Sequence, residues 1–129
     1  MKRDEYERIG SLIVEAAYEV HKELGPGLLE IVYELCLIEE LKRRNLYVQN
    51  QVAFPLMYKG VKLNKNFVVD VLVENKIIIE LKAVEILMPI YGVQLLSYMK
   101  LSNIKLGYLI NFNEVLIKNG IKRKINGYF

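Results

Sequence analysis

Phe67-Val-Val-Asp70-Val-Leu-Val73 and Ile77-Ile-Ile-Glu80-Leu-Lys82 are two apolar runs separated by the short polar break Glu74-Asn75-Lys76. Each run has the length and β-branched content of a strand, and the break between them reads as a turn. Three ionisable residues interrupt the runs. Charged side chains are rarely fully buried unless they are paired or bind a metal. Asp70, Glu80 and Lys82, set among valines and isoleucines, therefore need partners. Two carboxylates that repel one another are best reconciled by a divalent cation between them.

Side chains alternate across a strand, so Glu80 and Lys82 share a face with Ile78, while Ile77, Ile79 and Leu81 face the other way. On the preceding run Asp70 shares its face with Val68 and Leu72. A hairpin centred on Asn75 sets Asp70 opposite Glu80, whereas a slip of one residue sends them to opposite faces. Convergence of the carboxylates thus predicts a three- or five-residue connection, or a bulge, in place of a two-residue turn. An all-oxygen pair suits a hard cation, Mg2+ or Mn2+. Lys82 would then orient water or neutralise charge at a phosphoryl transition state. The alternative is a buried Asp–Lys or Glu–Lys pair with no chemistry. Glu-x-Lys also occurs at Glu40–Lys42 and Glu74–Lys76, so the tripeptide alone does not decide.

The pattern upstream is helical. Ile9, Leu12, Ile13, Ala16, Ala17, Val20 and Leu24 recur at three- and four-residue steps, predicting an amphipathic helix from Asp4 to Leu24 with Asp4 as its cap. Gly25-Pro26-Gly27 ends it. A second helix is expected over about Leu28 to Arg44, with Lys42, Arg43 and Arg44 suiting its carboxyl end. Within it Glu30 and Tyr33 share a face. Glu30 is either a further metal ligand oriented by Tyr33 or a carboxylate stabilised by the helix dipole. His21, the only histidine, is either a phosphate contact or a cap or hydrogen-bonding group near the end of the first helix.

Strand-like patterning follows. Residues 47–58 read as a strand whose Pro55 marks an edge or a bulge, and Tyr58-Lys59-Gly60 reads as a turn. The two runs of the opening lie at about 66–73 and 76–83. Met88 to Leu101 reads as a helix with Pro89 in its first turn. There Gln94 and Tyr98 stand four apart, either supporting a site or forming ordinary helix surface and core. Lys105–Asn111 is a strand, Asn119-Gly120 a turn, and Ile121–Ile125 a last short strand. Three strands on short turns followed by a crossover helix indicate a mixed sheet in an α/β sandwich.

The chain's 129 residues are enough for one domain with a real core, and no linker or repeat divides 1–129. No apolar run reaches membrane-spanning length, and the charged start lacks the apolar stretch of a signal peptide. The single cysteine, Cys36, forms no intrachain disulfide and reads as a small core residue. A cytoplasmic location is expected. The net charge of +3 is uneven. Residues 1–44 hold seven Lys/Arg against ten Asp/Glu, and residues 45–129 hold eleven against five. The basic second half suits either a polyanionic partner or a solvated lysine surface.

Gly27-x-x-Glu30-x-x-Tyr33 resembles the signature of the GxxExxY proteins of the PD-(D/E)XK nuclease superfamily. The likeness runs through Val20-His21-x-x-Leu24-Gly25-Pro26-Gly27, Asp70, Glu80-Leu-Lys82, Gln94-Leu-Leu-Ser-Tyr98, Gly107-Tyr-Leu-Ile-Asn111-Phe112 and Gly120-Ile-Lys-Arg123. The Asp, Glu-x-Lys and Gln-x-x-x-Tyr series is similar to that of RecB-like nucleases. Val69 stands where the superfamily's name has a proline.

The resemblance implies a restriction-endonuclease-like α/β core with a central mixed sheet flanked by helices, preceded by two N-terminal helices. It implies Mg2+- or Mn2+-dependent hydrolysis of phosphodiester bonds. Asp70, Glu80 and Glu30 would be the acidic ligands, Lys82 would be catalytic, and Gln94, Tyr98 and Tyr33 would support the site or the nucleic acid. DNA is the expected substrate. Lys59, Lys62, Lys65, Lys105, Lys122, Arg123 and Lys124 would grip phosphates with little sequence selectivity. No membrane partner is expected, and a homodimer suits so small a domain. The competing function is a non-catalytic nucleic-acid-binding or assembly module built on the same fold.

Overall fold

The polar break at Glu74-Asn75-Lys76 is a tight hairpin joining β2 (Val61–Val73) to β3 (Ile77–Lys82). The structure, a computed structural model, describes residues 2–128; Met1 and Phe129, the ends of the expected 1–129 span, lie outside the described residues. The Lys76 N–H donates to the Val73 carbonyl at 2.9 Å. Glu74 and Asn75 take left-handed φ of 53° and 55°, the backbone that turns a right-twisted hairpin tightly. Val73 pairs with Ile77, Leu72 with Ile78 and Val71 with Ile79. The connection is thus three residues long and centred on Asn75, the register in which Asp70 and Glu80 meet.

The remaining elements are α1 (Arg3–Leu24), α2 (Glu30–Arg43), β1 (Val48–Tyr58), α3 (Pro89–Ser102), β4 (Leu106–Asn111) and β5 (Ile121–Ile125), with a 3-10 turn at Ile117–Gly120. The sheet order is β1-β2-β3-β4-β5. β3 and β4 are parallel, joined by the α3 crossover, and the other neighbours are antiparallel. This is a five-stranded mixed sheet flanked by helices, an α/β fold of the restriction-endonuclease type.

α1 and α2 cover one face. Ile9, Ile13, Ala16, Ala17, Tyr33, Leu37 and Leu41 pack there on Val71, Val73, Ile77, Ile79, Leu81, Tyr108 and Ile110. α3 covers the other, with Leu95 and Met99 against Leu72, Ile78 and Leu109. β3 is central and roofed on both faces, which is why it is a continuous apolar run with no alternation. Gly107 lets α3 close on β4: a Cβ there would stand 2.7 Å from the Met99 sulfur.

Several details differ from the sequence expectation. α1 starts at Arg3 with Lys2 as N-cap and no side-chain cap bond, so Asp4 does not cap it. Asp4 and Glu5 lie in the first turn, where carboxylates favour the helix dipole. β2 begins at Val61, five residues earlier than expected, because its first half pairs only with β1 and never acquires a buried face. β1 is the sheet edge, and its register shifts between Pro55 and Met57, in accord with the proline. His21 is a hydrogen-bonding group: its Nε2 lies 2.7 Å from the Glu114 carbonyl oxygen, tying the end of α1 to the loop after β4.

Candidate active site

β2 and β3 part where their paired stretch ends at Val71 and Ile79, and Asp70 and Glu80 occupy the fork. Side chains replace the missing ladder bonds. The Leu81 N–H donates to Asp70 Oδ2 at 2.8 Å, and the Asp70 N–H approaches Glu80 Oε2 at 3.4 Å. Each carboxylate is therefore fixed by the other strand's backbone.

The fork is also where β1 and β2 lose contact. Asn50 pairs with Val71 and Val52 with Val69, but Gln51 and Asp70 between them are unpaired. Gln51 takes a left-handed φ of 50°, an uncommon backbone for a non-glycine strand residue. Strict alternation fails across this point. Val69 packs with Leu72 beneath α3, whereas Val71 and Val73 pack beneath α1 and α2. Val68, expected beside Asp70, is left at the surface.

Glu80 is 9% exposed, and its Oε1 is buried with no hydrogen-bond partner. Burial, a shared hydrogen bond with Asp70 and the Asp70 charge push its pKa up to about 9. Glu30, in the first turn of α2, faces the same charges. Partial desolvation, then Asp70, raise its carboxyl above the ordinary range, Lys82 opposes them, and Glu34 adds to the rise. Asp70 and Glu80 are in contact, and Glu30 meets them electrostatically from the rim. Among the described residues no three His, Cys, Asp or Glu side chains form a ready-made metal cage.

Lys82 is half-buried at the end of β3. Its Nζ lies 4.5 Å from the centroid of the Tyr91 ring of α3, a cation–π contact. It makes no ion pair among the described residues, so it is not the partner of a buried salt bridge. The strand end that carries it is pinned from β4. The Phe112 N–H donates to the Lys82 carbonyl at 2.9 Å. The buried Asn111 amide donates to the Val84 carbonyl at 2.9 Å and accepts from the Val84 N–H at 3.0 Å.

The outer residues take distinct positions. Tyr33 is buried, stacks on Phe112 at 4.8 Å, donates to the Gly25 carbonyl at 2.6 Å and accepts from the Leu28 N–H at 3.1 Å. Its hydroxyl thus braces the loop that delivers Glu30. Tyr98 stacks on Phe67 at 5.1 Å, and its hydroxyl accepts from Gln94 Nε2 at 3.2 Å. Burial, then the charges of Glu80 and Asp70, raise the Tyr98 pKa, which sets this side chain within the field of the carboxylates.

Two participants escaped the sequence reading. Glu34 is 3% exposed, and its carboxylate accepts from Gln51 Nε2 at 2.9 Å and Asn50 Nδ2 at 3.3 Å. Gln51 Nε2 also approaches Asp70 Oδ1 at 3.5 Å, linking α2 to the fork. Glu34 carries a signal in the sequence, since with Leu37 and Leu41 it falls on the buried face of α2 at three- and four-residue steps. Nothing in the sequence flags the backbone of Gln51.

The fork thus sets Asp70 against Glu80, with Lys82 at the end of the same strand and Glu30 facing them from α2. The model of the PD-(D/E)XK nuclease superfamily matches residues 7–124, and the chain belongs to that superfamily. Membership implies a nuclease that hydrolyses phosphodiester bonds and so a nucleic-acid substrate; such nucleases typically use divalent metals. No curated protein and no solved structure is significantly similar to it. No helix of the described residues is long and apolar enough to cross a membrane.

Proposed function

We propose that this protein is a Mg2+- or Mn2+-dependent nuclease that cleaves DNA with low sequence specificity at the Asp70–Glu80 fork. The observation that carries the reading is the pairing of Asp70 with a Glu80 whose Oε1 is buried and unsatisfied. A buried acceptor without a donor costs free energy unless something fills the position. An oxygen-only donor set next to it fits a hard divalent cation. Asp70 and Glu80 would hold the ion, with Glu30 closing from α2.

A divalent cation bound there supplies Lewis-acid polarisation of the scissile phosphate and activation of water. The chain's own residues do the rest. Lys82 presents an ammonium not tied up by a carboxylate, ready to hold water in line or offset charge gathering on the phosphate. Tyr91 limits the swing of that ammonium. Gln94 and Tyr98 line the approach from α3, and Tyr33 positions Glu30 by holding the Gly25–Leu28 loop. The Gly27-to-Tyr33 spacing supports the finer grouping with the GxxExxY proteins.

The test is cleavage of plasmid, single-stranded DNA and RNA with Mg2+ or Mn2+, comparing wild type with Asp70→Asn and Lys82→Ala. Metal-dependent DNA cleavage lost in both variants supports the reading. DNA binding without cleavage in every protein, or cleavage unchanged in both variants, would overturn it in favour of a binding module.

A further inference from the structure

We propose that the outer half of the β1–β2 hairpin is an arm that grips duplex DNA by lying in its major groove. The assignment builds on the nuclease reading and gives that site its hold on substrate. β3 supports β2 only at Val71–Val73, so the ladder from Pro55 to Asn66 has no neighbour in the sheet. Phe67 stacks on Phe54 at 5.5 Å and on Tyr98, anchoring the base of the arm to α3. Beyond that anchor every residue from Met57 to Asn66 is exposed. Isolated two-stranded ribbons are marginal in water, so one held clear of the core is suited to a partner.

Charge identifies the partner. Lys59, Lys62 and Lys65 lie on the arm, and from Val48 to Val69 there is no Asp or Glu. Lysine ammoniums in a stretch without carboxylates suit a polyanion. The major groove of B-form DNA is wide enough for a two-stranded ribbon, whereas that of A-form RNA is too narrow. The arm's cations are all lysines, which hold phosphate as point charges without fixed fork geometry, so its grip is on phosphates and tolerant of sequence. The chain path from Asp70 to Val61 is about 30 Å at strand rise. That places the tip about nine base pairs from the fork.

The test is duplex binding by fluorescence anisotropy in EDTA, where no cleavage occurs, across a series of salt concentrations. Replacing Lys59, Lys62 and Lys65 together by Gln is expected to weaken binding about tenfold or more and to flatten the slope of log K against log salt by about 2 to 3. Replacing all three by Arg is expected to retain the wild-type slope. These exposed sites should leave the melting temperature unchanged, which separates lost grip from lost fold. Wild type that binds no duplex, a Gln variant with unchanged slope, or equal affinity for duplex RNA would overturn the proposal. So would a Gln variant altered only in self-association by analytical ultracentrifugation. Wild type that binds through these lysines yet shows no cleavage with either Mg2+ or Mn2+ would keep the arm and sink the nuclease.

Discussion

Among the described residues two carboxylates are buried, and their surroundings could hardly differ more. Glu34 lies between α2 and β1 and is met by two amide donors, Gln51 and Asn50. Glu80, at the fork, has one oxygen near the Asp70 N–H and the other buried with no hydrogen-bond donor beside the Asp70 carboxylate. Burial without ionic partners is common to both; satisfaction is not. A carboxylate given neutral donors is structural, because its lone pairs are already used. A carboxylate left half-satisfied beside a second carboxylate is, in the proposed function, the one that takes up a cation. The contrast separates the scaffold of the site from its working end.

The largest expected effect tests that separation directly. Asp70→Asn or Glu80→Gln should lower metal-dependent cleavage by about a thousandfold or more, and Lys82→Ala by about a hundred- to a thousandfold. A plasmid-nicking time course reads all three. Glu34→Gln should instead keep cleavage within about tenfold of wild type and lose about 1–3 kcal/mol of stability. The substitution puts an amide against the Asn50 and Gln51 donors, and urea denaturation measures the loss.

The pH dependence follows from Glu80. Its carboxyl titrates near 4.5 in the unfolded chain and is pushed up to about 9 in the folded one. Between those values the folded state binds more protons than the unfolded state, so stability falls as pH rises. Glu30, raised in the same direction, adds to the trend. The metal-free protein should therefore melt lower at pH 8.5 than at pH 5.5. Glu80→Gln should flatten that dependence and leave the metal-free protein at least as stable as wild type at pH 8.5. A thermal melt in EDTA across this range checks both.

Smaller effects sharpen the picture of the frame. Tyr33→Phe removes the bonds to Gly25 and Leu28 and should cost about 1 kcal/mol. It should also slow cleavage severalfold, because Glu30 is carried on the loosened loop. Gln51→Ala should slow cleavage a fewfold, since one weak contact to Asp70 is lost, and should lower stability by about 1–3 kcal/mol, since the buried Glu34 carboxylate loses its 2.9 Å donor. A Gln51 variant as impaired as the Asp70 variants would place Glu34 and Gln51 at the working end and erase the contrast.

The sequence disclosed the fork because chemistry and register depend on each other there. Asp70 and Glu80 can meet only if the turn is centred on Asn75, and the Glu74-Asn75-Lys76 break has residues that allow it. The apolar periods of α1 and α2, and Pro89 at the start of α3, made the helices equally legible. The frame was less so. Strict alternation put Val68 on the site face, but the interrupted ladder at Gln51 turns Val69 there instead, and a left-handed glutamine leaves no mark in composition. Val61–Asn66 looked like loop because a ribbon exposed on both faces has no apolar period. Asp4 resembled a cap, but the helix begins a residue earlier and leaves it in the first turn.

The most direct measurement is calorimetric titration of Mn2+ into the wild-type protein, Glu80→Gln, Asp70→Asn and Glu34→Gln. One site per chain in wild type and Glu34→Gln, absent from Glu80→Gln and Asp70→Asn, is the predicted result. Equal Mn2+ uptake by all four proteins, or loss of binding in Glu34→Gln alone, would contradict the assignment of the fork as the cation site.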